Sequence, residues 1–350
     1  MDQNLSITCR PKRLDMMVGT RGITDQIRNQ IANGRIPKVW LFIGEPGSGK
    51  TTIARIIAVS LQCKHVKEFG EPCIECIKKY DENSFSITEQ NVPDNNGIDD
   101  ARALVSLAGR YPLEGDHRII ILDEVHKTTE PAQTVLLKSF EEESSNTIWI
   151  LCTTNPAKLL PAIKRRCLTF VLPGVNEDGL AELVTCVNLH LAAANQPMLP
   201  DKVSDKLIIA LKANGITSPG LAVMAMEKCL AGASPEEAAQ PVDLIGVNVS
   251  ELWQAVVTGD WIKTRGILNK ANTGDGKAIR SVLANRFKWL LLQSDGKRAM
   301  RCANAIHELS LYQSWEDGLT LSSTAASIYK ICSMIVAAKK EDSENAGTKV

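Results

Sequence analysis

The chain has 350 residues, too many for one ordinary core and about right for two or three domains. Hydrophobic residues make up 44% and charged residues 23%, a balance able to bury a sizeable core, and 40 basic against 40 acidic residues leave no net charge. That neutrality excludes a protein that coats nucleic acid through its overall field, so any DNA contact must be a local patch.

The N-terminus "MDQNLSITCRPKR" lacks the apolar core of a signal peptide, and no run of about eighteen uninterrupted apolar residues follows. A cytoplasmic location with no membrane partner is expected. The first part of the chain then alternates buried-strand runs with amphipathic helices, the pattern of a parallel α/β sheet. Strands are predicted at "VWLFIG", "FSITEQ", "RIIILDE", "TIWILCTT" and "CLTFVLP", and helices beginning near Thr51, Ile98, Pro131 and Leu159. After "LPGVNED" the strand signals stop and helical periodicity runs almost to the end, which sets a domain boundary near residue 175. A second break falls in "AGASPEEAAQPVDLIG", punctuated by Pro235, Pro241 and Gly246. Val247 to Lys340 reads as a bundle of roughly five helices, and "EDSENAGTKV", 341–350, as a disordered polar tail.

Between the first strand and its helix stands "GEPGSGKTT": Gly44, Glu45, Pro46, Gly47, Ser48, Gly49, Lys50, Thr51 and Thr52. The stretch fits G-x-x-x-x-G-K-[ST] at every fixed position, in the strand–turn–helix context that a phosphate cradle needs. Its glycines let the backbone curl so that successive N–H groups face phosphate oxygens at a helix N-terminus. Lys50 is placed to reach the β and γ phosphates of ATP, and Thr51 to offer its hydroxyl to Mg²⁺. "RIIILDEVH" delivers Asp123 and Glu124 at the C-terminal end of a buried strand, where open α/β sheets bind ligands. Asp123 is expected to hold Mg²⁺ and Glu124 to activate the attacking water as general base. Thr154, at the tip of the next strand, is a candidate to position that water. Arg165 and Arg166 in "PAIKRRC" fall at a helix-to-strand junction, where a merely solvated basic face is the plain alternative.

The segments "RPKRLDMMVG", "NGRIPKVWLFIGEPGSGKTTIARIIAVSLQC", "NNGIDDARAL", "IIILDEVHKTTEPAQTVLLKSFEE" and "LCTTNPAKLLPAIKRRC" together resemble the gamma/tau subunit of bacterial DNA polymerase III. More distantly they are similar to the small subunits of replication factor C. These are the AAA+ ATPases of sliding-clamp loaders, and the resemblance runs in order through residues 9–173, weakening beyond. It implies an AAA+ P-loop domain over 1–174, a helical lid over 175–242 and a helical collar over 243–340 that joins subunits in a pentameric ring. Thr154 falls on the sensor that reads the γ-phosphate, Arg166 on the arginine finger that reaches a neighbour's ATP, and Val18 and Gly19 on the segment that covers the adenine.

Three departures from the family pattern stand out. Arg165 replaces the serine that precedes the finger, leaving either arginine a candidate, with Arg166 favoured by register. Gly220, in "TSPGLAV", stands where the lid's sensor arginine is expected. The family's zinc module has four cysteines, whereas here Cys63, Cys73 and Cys76 are joined by Lys79 at the fourth place. Three thiolates need one more ligand to close a tetrahedral Zn²⁺ site, and His65 and Asp81 are open candidates. The remaining cysteines, of 10, are scattered, so reduced thiols are expected rather than disulfides.

The function implied is that of a DNA-stimulated ATPase that opens a sliding clamp and loads it on primer–template DNA, with hydrolysis releasing the clamp. Its partners would be the clamp, other loader subunits, some of them identical copies, and the DNA. The rival readings are a non-hydrolysing scaffold arm of such a complex and a AAA+ branch-migration or fork-remodelling ring. Arg102, on the helix begun by "GIDDAR", is a candidate phosphate contact, with pairing to Asp99 as the alternative.

Overall fold

The structure is a computed structural model. It describes residues 4–63, 71–81, 86–92, 97–112, 115–142, 146–240, 249–271, 276–292, 294–310 and 321–347.

Five parallel strands form one sheet: β1 (Val39–Ile43), β2 (Ile87–Asn91), β3 (Arg118–Asp123), β4 (Thr147–Thr153) and β5 (Leu168–Val171), in the order β2-β3-β4-β1-β5. The strands arise where the apolar runs were predicted. β1, β3 and β4 are interior, and their near-continuous apolar sequences are what a strand buried on both faces requires. Alternate side chains go to opposite layers. Trp40, Phe42, Ile119, Ile121, Ile148 and Ile150 meet the helices Arg21–Ala32 and Lys50–Gln62 through Ile27, Ile31, Ile53 and Ile57. Leu41, Ile120, Leu122, Trp149 and Leu151 meet the helices Ile98–Ala108 and Glu130–Glu141 through Leu104, Leu136 and Phe140. The first face is stiffened by Trp40, Phe42 and Phe170, whose rings stack with centroids 5.6–6.4 Å apart. A five-stranded parallel sheet between helices is thus followed in sequence by a helical C-terminal part.

Two departures concern elements rather than topology. The fourth predicted helix starts at Pro161, not Leu159, because Pro156–Lys158 first makes a separate 3₁₀ turn capped by Asn155. The polar tail is a correction: the last helix runs from Leu321 to Gly347, so 341–347 are helical where disorder was expected. Alanine, lysine and glutamate are good helix formers, and an already nucleated helix extends at little cost.

By packing, the chain divides into Met1–His190 with Ser218–Val223, and Leu191–Thr217 with Met224–Val350. Residues 175–190, expected to open the lid, thus pack with the sheet. Within the second unit the helices Val249–Thr258, Trp261–Leu268, Gly276–Leu292, Gly296–Ser310 and Leu321–Gly347 share a core that includes Leu252, Val256, Leu283, Phe287, Ile328 and Ile331. Arg280 is buried there, donating to Leu309 O at 3.1 Å and to Ser327 Oγ at 3.3 Å. Arg286 donates to Asn214 Oδ1 at 3.0 Å and lies 5.8 Å over the Trp253 ring; burial pulls its pKa down to about 10.

Candidate nucleotide site

The site lies where the strands end. β1 stops at Ile43, and the chain turns through Gly44–Gly49 into the helix Lys50–Gln62. Gly47 (φ 74°) and Gly49 (φ 93°) occupy the left-handed region, which a side chain disfavours. Gly49 is the helix N-cap, so the turn brings its amides to a helix N-terminus, the favoured place for a phosphate. Lys50 is only 6% exposed. Its Nζ folds back over the turn and donates to Gly44 O at 3.0 Å and Glu45 O at 2.8 Å. Burial lowers its pKa, while Asp123 and Glu124 oppose that shift.

Thr51 Oγ1 donates to Asp123 Oδ2 at 2.5 Å, joining the start of the P-loop helix to the end of β3. Two hard oxygen ligands side by side are the donor set that Mg²⁺ prefers. Thr52 follows, half-buried in the first helical turn.

Glu124 stands just beyond β3 in a left-handed conformation (φ 56°, ψ 36°), unusual for a residue with a Cβ. Its own N–H donates to Asp123 Oδ1 at 2.9 Å. Its Oε2 is 3.5 Å from His126 Nε2 and 3.6 Å from Lys127 Nζ. His126 Nδ1 is 3.1 Å from Thr153 Oγ1, and that oxygen accepts the Asn155 N–H at 3.1 Å. Burial lowers the His126 pKa, so the ring is neutral at pH 7. The arrangement that satisfies every group has Thr153 donating to Nδ1, which leaves the Nε2–H facing Glu124. His126 and Thr153 were missed in the sequence, although "DEVH" placed a histidine two residues from the expected base. Thr154, given the sensor role there, lies one residue past β4 and is half-buried.

The N-terminal segment reaches the same place. Met17 Cε lies 3.0 Å from where a Cβ on Gly49 would sit, and Gly19 (φ 74°) approaches Val175 so closely that a Cβ would fall 2.6 Å from Val175 Cγ1. Met17 thus lies against the P-loop, and Gly19 against Val175.

The two arginines are elsewhere. The helix Pro161–Arg166 ends just before β5, and Arg166 forms an ion pair with Glu141 at the far end of the helix Glu130–Glu141. Leu168 opens β5 level with Trp40, near the start of β1, whereas the P-loop follows Ile43. Arg165 and Arg166 therefore stand at the edge where strands begin, roughly 13 Å along the strand direction from their own P-loop. Arg102 donates to Asp99 Oδ1 at 3.0 Å, the pairing alternative considered for it.

Cys63, Cys73 and Cys76 come together, their Sγ atoms all within 4.8 Å of one another. Cys73 N–H donates to Cys63 Sγ at 3.5 Å. Burial, and then its neighbouring thiols, push the Cys76 thiol up to about 12. Three convergent sulfurs fit three corners of a tetrahedral zinc site. Residue 65 and the side chains of 79 and 81 lie outside the described residues. Among those described, no helix is long and apolar enough to cross a membrane.

Residues 19–176 match the family described as DNA polymerase III, delta subunit. DNA polymerase III subunit gamma of Buchnera aphidicola subsp. Baizongia pistaciae is 35% identical over 189 residues, 53% of this chain and 50% of that protein. DNA polymerase III subunit tau of Bacillus subtilis is 35% identical over 174 residues, 49% of this chain and 31% of that protein. The chain thus spans about half or less of the length of these relatives. Among solved structures, a DNA polymerase III gamma subunit-related protein of Thermotoga maritima is 16% identical with a TM-score of 0.42, covering 88% of this chain and 99% of that one. The RuvB Holliday junction branch migration motor of the same organism is 15% identical with a TM-score of 0.47, covering 71% and 80%. The similarity to DNA polymerase III subunits thus falls on the segment that carries the glycine turn, β3 and β4.

Proposed function

We propose that this chain, whose nucleotide-binding segment is related to the gamma and tau subunits of bacterial DNA polymerase III, is an ATP-hydrolysing subunit of a sliding-clamp loader. The observation that carries the reading is the assembly at one sheet edge of a glycine turn, Lys50, the Thr51–Asp123 pair and Glu124. The turn's amides and the helix N-terminus receive the phosphates, and Lys50 exchanges its carbonyl partners for phosphate oxygens. Thr51 and Asp123 would hold Mg²⁺, which when bound neutralises charge on the phosphates. Glu124 takes the proton of the attacking water, held in place by the His126–Thr153 relay, while Thr154 reads the γ-phosphate. Val18 and Gly19 cover the base.

Arg166 completes a different active site. Its place at the opposite sheet edge favours action on the ATP of an adjacent subunit, where a guanidinium fork stabilises charge developing on the γ-phosphoryl oxygens. Hydrolysis then requires assembly and serves as a switch: the ATP-bound ring grips clamp and primer–template, and turnover lets the clamp go. The helices of 175–242 act as lid and those of 243–340 as collar. The three-cysteine cluster, with one further ligand, holds a structural Zn²⁺ remote from the chemistry. The decisive experiment is co-purification with a sliding clamp in ATP, followed by steady-state ATPase assay with and without primer–template DNA. Clamp binding with DNA-stimulated turnover supports the reading; turnover that is absent in the assembled complex favours the scaffold arm instead.

A further inference from the structure

Pro46 and Gly47, at the crest of the P-loop, are held from outside by a segment more than 170 residues away in sequence. Ser218 Oγ donates to Pro46 O at 2.9 Å, and Gly220 N–H donates to Gly47 O at 3.0 Å. Ser218 is only 4% exposed, and its Oγ also accepts the Leu221 N–H at 3.5 Å, at the start of the helix Pro219–Leu230. The contact is backbone on backbone. A Cβ on Gly220 would lie 3.1 Å from both Gly47 Cα and Gly47 O, and a Cβ on Gly47 would lie 2.5 Å from Ser218 Oγ. Main-chain atoms cannot swing aside as a side-chain tip can, so glycine at 220 is what permits the approach.

We infer that Ser218–Pro219–Gly220 is a clamp that orients the P-loop amides for phosphate, making Ser218 and Gly220 positioning residues for nucleotide. The inference rests on the ATP-binding reading of this loop. In a planar trans peptide the carbonyl and the following N–H point in opposite directions. Fixing Pro46 O outward turns the Gly47 N–H inward, and fixing Gly47 O does the same for the Ser48 N–H. The inward set is already distinguishable: Ser48 N–H meets Glu45 O at 3.1 Å, and Lys50 Nζ meets Gly44 O and Glu45 O. The inward donors, the Gly47 and Ser48 N–H groups and Lys50 Nζ, are the ones that phosphate oxygens would engage, while the outward carbonyls of Pro46 and Gly47 stay on the clamp. The chain thus couples this segment to the P-loop through its main chain at the position where the resemblance expects an arginine. Restoring that arginine should therefore weaken nucleotide binding, the reverse of what a phosphate-reading side chain would do.

The test is titration calorimetry of the full-length chain with ATP and Mg²⁺, alongside kcat at saturating ATP and the melting temperature without ligand. Gly220→Arg is expected to weaken ATP binding at least tenfold, and Gly220→Ala by a smaller factor in the same direction. Ser218→Ala removes a single hydroxyl and is expected to raise Kd about three- to tenfold, the weight of one hydrogen bond, while Ser218→Thr stays within about twofold of wild type. A positioning role predicts higher Kd with kcat nearly unchanged; a merely structural loss would lower the active fraction at unaltered Kd and would overturn the inference. ATP binding by Gly220→Arg as tight as wild type or tighter also overturns it, leaving the ATPase reading intact. Failure of the wild-type chain itself to bind ATP overturns that reading and the clamp together.

Discussion

Arg166 is ion-paired with Glu141 at the edge of the sheet where the strands begin, the edge opposite its own P-loop. In the ring proposed above, an arginine finger at that position would act on the ATP of another subunit. Arg166→Ala should bind ATP normally yet lose hydrolysis in the assembled complex, by about 10³-fold if it matches the weight of fingers in other NTPases. Where a ring carries two copies, mixing Arg166→Ala with Glu124→Gln chains should restore part of the activity. Full-rate hydrolysis by isolated monomers that disappears on Arg166→Ala would place the finger in cis and sink the trans mechanism. Arg165→Ala behaving as the finger would move the assignment by one residue.

Lys50→Ala and Glu124→Gln should separate binding from turnover. The ammonium neutralises β/γ-phosphate charge, so its loss abolishes nucleotide binding. The amide at 124 keeps shape and loses only the proton acceptor, so ATP is retained and turned over slowly. Near-normal hydrolysis by Glu124→Gln in a filter-binding and phosphate-release comparison would reject Glu124 as the base.

The Thr153–His126–Glu124 relay predicts a pH effect of definite sign. Burial holds the His126 pKa below its usual 6.5, so the ring is neutral at pH 7 and gains a proton only in acid. Its contribution to stability is therefore present above about pH 6.5 and lost as pH falls through the lowered value. Protonation also removes the acceptor for Thr153, so kcat should fall over the same acid range with little change in ATP affinity. Thr153→Val should lower kcat about tenfold and His126→Gln should move the acid limb of the profile. Acid limbs that superimpose in wild type and His126→Gln would exclude the relay.

For the cysteine cluster, elemental analysis of protein purified without chelator should find one zinc per chain. Each thiol must lose its proton to bind metal, and the Cys76 thiol is held up to about 12 without it, so metal affinity should rise with pH. Chelation or Cys76→Ser should lower the melting temperature without changing the ATP Kd. A metal content below about a tenth of an equivalent would identify a metal-free remnant of the module.

The sequence by itself determined the sheet and the loop. Strand runs such as "RIIILD" and the G-x-x-x-x-G-K-T turn are local patterns, and the backbone forces behind them act within a few residues, so β1, β3, β4 and the helix from Lys50 stood where they were expected. The Thr51–Asp123 pair was likewise legible, because two motifs at the same strand ends can meet in only one way. What the sequence left open was settled by contacts between distant segments. Thr153 and Thr154 are indistinguishable as letters, and only the end of the β4 ladder and the position of His126 tell which hydroxyl is engaged. Gly220 read as a missing arginine; the fold shows a glycine whose absent side chain lets one backbone lie directly on another. Such a contact carries no periodicity and no motif, because it depends on the space left between two chains and not on the chemistry of either.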